Sequence, residues 1–156
     1  MKKTLLKILL ISFFSINVNA DTNFYGGVEA GLPLTIGISG KMDLTDKVTM
    51  QGIVGFLGEL SNYSAKAIYK IDKKKLYDLY AYGLIGVWKW DDDYFDEHET
   101  TMGYGIGGGL EFKLQELFGP QAPPLYMSGE LGFDKLDLEY VEYTGLHIGG
   151  AIHYRF

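Results

Sequence analysis

The feature that most constrains this chain is a two-residue alternation of side-chain character, clearest in its last thirteen residues. From Thr144 to Phe156 one parity reads Leu146, Ile148, Gly150, Ile152, Tyr154 and Phe156. The other reads Gly145, His147, Gly149, Ala151, His153 and Arg155. A period of two with one apolar side is a β-strand, not a helix. Chain ends are normally frayed and polar, so an aromatic terminus on such a strand implies an end held in a sheet.

The same alternation recurs upstream. It predicts strands over residues 23–32, 34–42, 47–57, 60–71, 76–90, 101–114 and 125–133 before the last one. The sixth is the most regular: Met102, Tyr104, Ile106, Gly108, Leu110, Phe112 and Leu114 alternate with glycines, Glu111 and Lys113. In the third, Ile53 breaks the polar parity. The fifth is apolar on both parities; Tyr80, Tyr82, Leu84, Gly86, Trp88 and Trp90 are assigned to its outer face, with Lys89 inside. Acidic loops are expected at 91–100 and 134–143. The proline-bearing stretch 115–124 is a connection, with one helical turn at 115–118.

Eight strands with short connections, one domain and no linker predict an all-β, eight-stranded antiparallel up-and-down barrel. An even strand number lets the first strand pair with the last and removes both sheet edges. Two closed barrels fit. A soluble periplasmic barrel keeps its apolar face inside around an apolar ligand; a transmembrane barrel turns it to lipid and fills the lumen with polar groups. Aromatics near strand ends and apolar faces long enough for the ~9–11 residues of a tilted spanning strand favour lipid.

The first twenty residues support export. Lys2 and Lys3 precede a short apolar run, and Asn17-Val18-Asn19-Ala20 gives a small exit residue, so residues 1–20 are expected to be a cleaved signal peptide. Its loss would take the formal net charge from −6 to −9, which argues against nucleic acid as a partner. With no cysteine, disulfides and thiolate chemistry are excluded.

The alternating Ile152, Tyr154 and terminal Phe156 resemble the closing-strand signal of Gram-negative outer-membrane proteins. The eight-strand plan over about 23–156 resembles the small OmpA/OmpX-type barrels of the outer-membrane β-barrel domain family. That resemblance implies location in the outer membrane, contact with its lipid, and recognition of Ile152, Tyr154 and Phe156 by the barrel-assembly machinery. It also implies a structural, adhesive or small-solute role. Some barrels of this type are lipid-modifying enzymes, but the chain has no His-x-Ser motif and no nucleophile–base pair exposed to lipid.

The lumen of eight strands is only wide enough for side chains. Glu29, Lys41, Lys66, Glu111, Glu130 and Arg155 are therefore expected to form a charge network that plugs it. His147 and His153 share a parity but lie about 20 Å apart at strand rise, too far to share a metal. In the 91–100 loop, Asp91, Asp92, Asp93, Asp96, Glu97 and Glu99 are a weak candidate for divalent cations through oxygen ligands. Their spacing is not that of an EF-hand, and a solvated charge run is the plainer expectation. No cofactor is expected.

Overall fold

The computed structural model describes residues 22–32, 35–58, 60–92, 97–137 and 142–156. Its strands are β1 (Phe24–Leu32), β2 (Thr35–Asp43), β3 (Val48–Leu57), β4 (Leu60–Lys73), β5 (Tyr77–Asp92), β6 (Glu97–Lys113), β7 (Leu125–Asp137) and β8 (Glu142–Arg155). A short helix, α1 (Leu114–Phe118), follows β6. Every strand pairs antiparallel with its sequence neighbour, and β1 pairs with β8 from Tyr25↔Arg155 to Leu32↔Ile148, closing the barrel. The seam is completed by the Phe156 N–H, which donates to the Phe24 carbonyl at 3.0 Å.

The alternation decides which face points where. Val28, Ile38, Val54, Tyr69, Ile85, Ile106, Leu131 and Ile148, one from each strand, are exposed on the outside. Glu29, Lys41, Gln51, Lys66, Asp78, Glu111, Glu130 and His147, again one per strand, are buried inside. This is the inverse of a water-soluble barrel. External aromatics gather at two levels. Phe24, Tyr69, Tyr154 and Phe156 mark the end that carries the termini; Phe56, Tyr63, Tyr104 and Phe133 lie toward the hairpin end.

Three expectations need correction. First, β5 is turned the other way: Tyr80, Tyr82, Leu84 and Trp88 are buried in the lumen, Trp90 packs against them, and Lys89 is outside. The reason is in the β5–β6 register, which sets Tyr80 opposite Gly109, Tyr82 opposite Gly107 and Leu84 opposite Gly105. A Cβ on Gly107 or Gly109 would stand 2.6 Å from the Tyr82 or Tyr80 ring, so these rings occupy the volume the glycines leave. Second, the acidic stretches are mostly strand. The β5–β6 ladder continues to Asp92↔Glu97 and the β7–β8 ladder to Asp137↔Glu142, leaving only 93–96 and 138–141 between them, outside the described residues. Cross-strand pairing and continued alternation, with Asp134 and Leu136 inside, outweigh the local acidity. Third, α1 begins one residue before the expected turn and ends at Gly119, whose φ of 94° suits glycine. The proposed signal segment, residues 1–20, and the turn at Pro33 lie outside the described residues.

Candidate functional site

The inward parity of five strands meets at the middle of the lumen. Lys66 on β4 reaches Glu29 on β1 and Glu130 on β7, each at 2.6 Å. Gln51 on β3 donates to the second oxygen of Glu29, and the Tyr80 hydroxyl on β5 donates to the second oxygen of Glu130 at 2.7 Å. Each oxygen of the two carboxylates thus accepts a hydrogen bond. The Lys66 ammonium also lies 4.8 Å over the Tyr82 ring. Burying charges costs several kcal/mol per ion, and pairing with further hydrogen bonds works against that cost.

Further pairs fill the half nearer the termini. Lys41 pairs with Glu111 across from β2 to β6. Asp43 accepts from Lys70 at 3.0 Å, from Tyr25 at 2.7 Å and from Thr49 at 2.5 Å. Lys113 donates to Asp78 at 2.7 Å and to the Lys74 carbonyl at 2.9 Å. Ser39 Oγ and His153 Nε2 are 2.5 Å apart.

Toward the hairpin end the filling changes character. Ile53, Leu60, Trp88 and Leu136 extend an apolar cluster that begins beside Lys66 with Ile68, Tyr80, Tyr82 and Leu84, and Trp88 is only 1% exposed. At that level His147 Nδ1 lies 2.8 Å from Asp134 Oδ2. The lumen is thus filled by paired charges at mid-height and, increasingly toward the hairpins, by packed rings and branched chains.

Of the six residues expected to form the charge network, the structure joins Glu29, Lys66 and Glu130 in one group and Lys41 with Glu111 in another. Arg155 stands apart at the mouth by the termini, its guanidinium 5.8 Å from the Tyr126 ring centre. Asp43, Asp78 and Asp134 were not anticipated. Asp43 and Asp134 sat in segments read as turns, and Asp78 lies on the parity of β5 assigned outward. Ile152, Tyr154 and Phe156 line one outer edge, with the Tyr154 and Phe156 rings edge-on at 5.4 Å. Asp91 and Asp92 end β5, and Glu97 and Glu99 belong to β6; Asp93 and Asp96 lie outside the described residues. Among the described residues no three His, Asp or Glu side chains are grouped to hold a metal. Among the described residues one hydroxyl–imidazole pair is found, Ser39 with His153, 2% and 1% exposed and facing the lumen.

No family model and no curated protein sequence matches the chain. Solved structures do. The N-terminal β-barrel domain of Pseudomonas aeruginosa OprF superposes with a TM-score of 0.62 at 16% identity, over 86% of this chain and 96% of that one. Neisserial surface protein A (NspA) gives 0.52 at 14% identity, over 86% and 94%. At these identities the likeness is one of fold: the chain shares the closed eight-stranded barrel of small outer-membrane proteins.

Proposed function

We propose that this chain is an integral outer-membrane barrel whose role is structural or adhesive, with a lumen closed to solute. The observation that carries this reading is the inverted barrel itself, an apolar belt around a paired-charge interior. An exterior of this kind is stable only in hydrocarbon, and closure leaves no backbone group unpaired there. The termini face the periplasm, and the β5–β6 and β7–β8 hairpin tips face outward. On this reading the external face meets outer-membrane lipid, the barrel-assembly machinery reads Ile152, Tyr154 and Phe156, and the acidic β5–β6 tip attracts divalent cations loosely. No reaction is assigned, since the Ser39–His153 pair is sealed from lipid.

Fractionation tests the location. The protein should sediment with outer membranes, require detergent, and run with different mobility before and after boiling. An antibody tag inserted in the 93–96 turn should be reached on intact cells. Recovery as a soluble periplasmic protein, or a tag reached only in the 44–47 turn, contradicts the reading.

A further inference from the structure

The mouth beside the termini contains a cavity of about 360 Å³ that the closed lumen does not use. It is lined by Lys75, Lys113, Gln115, Glu116, Tyr126 and Arg155, with Leu125 at its edge. Three of these are cations and one is an acid. Their commitments differ. Lys113 is already bound to Asp78 and to the Lys74 carbonyl. The Lys75 ammonium is largely in solvent and only 3.8 Å from Glu116. Arg155 makes no ion pair among the described residues; its guanidinium is held over Tyr126, whose ring in turn meets Tyr25 edge-on at 5.1 Å. Its backbone N–H is fixed on the Pro124 carbonyl at 3.0 Å.

The geometry points to an oxyanion site in this cavity, taking a phosphate group on Arg155. A guanidinium is a planar fork that matches two oxygens of a phosphate, and stacking on a ring orders the fork beforehand. The Gln115 amide can donate to a third oxygen, and Lys75 adds an exposed charge. Glu116 is the internal competitor: it shares the rim and holds Lys75 weakly when no anion is present. The phosphate can come from free inorganic phosphate or from the headgroup of an anionic phospholipid at the membrane edge. The site does not depend on which membrane houses the barrel.

Calorimetry on the barrel folded in uncharged alkyl maltoside micelles tests this, with inorganic phosphate as the probe and the boiling-dependent gel shift as the folding control. Phosphate should bind, more weakly as sodium chloride rises. Arg155→Gln should weaken it about tenfold or more, the scale of losing a charge-assisted hydrogen bond. Lys75→Gln, in an exposed turn, should weaken it less, and Glu116→Gln should tighten it. Adding phosphatidylglycerol to the micelles distinguishes the sources: competition assigns the site to a lipid headgroup, and its absence assigns it to a free anion. If phosphate does not bind, or binds equally well to folded Arg155→Gln, the proposal is overturned. A Glu116→Gln variant that binds no more tightly than wild type also counts against it.

Discussion

Lys66 is the residue on which the lumen turns. Its ammonium is buried between two carboxylates, and among the described residues no other cation pairs with either. Lys66→Met keeps most of the stem and removes the charge, leaving Glu29 and Glu130 facing each other. Breaking a buried pair in this way costs about 3–5 kcal/mol, so urea unfolding from lipid vesicles should report a loss of that order. Restoring neutrality by adding Glu29→Gln and Glu130→Gln should recover much of it, because the cost lies in the orphaned charges. Gly107 offers a second test at this scale. Any Cβ there meets the Tyr82 hydroxyl at 2.6 Å and the Leu131 carbonyl at 2.4 Å. One of these is backbone and cannot swing aside, so Gly107→Ala should destabilise the barrel. The outward Gly83 has open space at its Cβ, so Gly83→Ala should be tolerated in the same unfolding assay.

At the scale of the element, β8 and β5 teach opposite lessons about reading strands. On β8 the alternation separates Ile148, exposed, from His147, buried beside Asp134. A charge on the lipid face near mid-membrane costs ~2–4 kcal/mol. Ile148→Arg should therefore impair folding into vesicles, while His147→Asn, which keeps a polar side chain in the lumen, should fold with a smaller loss. Six strands besides β8 were legible in the same way, since one parity was plainly more polar, and Ile53 was correctly marked as an inward exception. β5 was not, because both of its parities are apolar and the choice rested on placing aromatics at both strand ends and Lys89 inside. The deciding signal lay in its partner. β6 has an unambiguous inward parity of glycines, and an inward glycine in a narrow barrel needs a large neighbour; directly opposed residues share a face, so Tyr80, Tyr82 and Leu84 had to be inside. The charge network was legible as a set of inward residues but not as pairs. Which acid meets which lysine depends on shear across the barrel, which no single strand encodes. Strand ends were misread where acids stood for loop. Hydrogen exchange should show protected amides within 97–100, the start of β6, where an acidic loop would exchange freely.

For the whole molecule, the proposed closure rests on two kinds of filling that an ion would have to cross. At mid-lumen Lys66 pairs with Glu29 and Glu130, and Gln51 and Tyr80 donate to their second oxygens, so an ion passing there would have to break these contacts. Toward the hairpins the filling differs, since Trp88, Ile53 and Leu136 pack there beside the Asp134–His147 pair. Barriers in series do not open one at a time. The wild-type barrel in a planar bilayer should show no steady conductance. Glu29→Ala with Lys66→Ala and Glu130→Ala empties the first tier without leaving a charge unpaired, yet should remain closed at Trp88. Trp88→Ala with Leu136→Ala empties the second and should remain closed at Lys66. Only the combination of all five changes should give a small, steady single-channel current. A current from the charge-tier triple variant alone would mean that the apolar tier admits water, and would move the closure of this barrel entirely to its ion pairs.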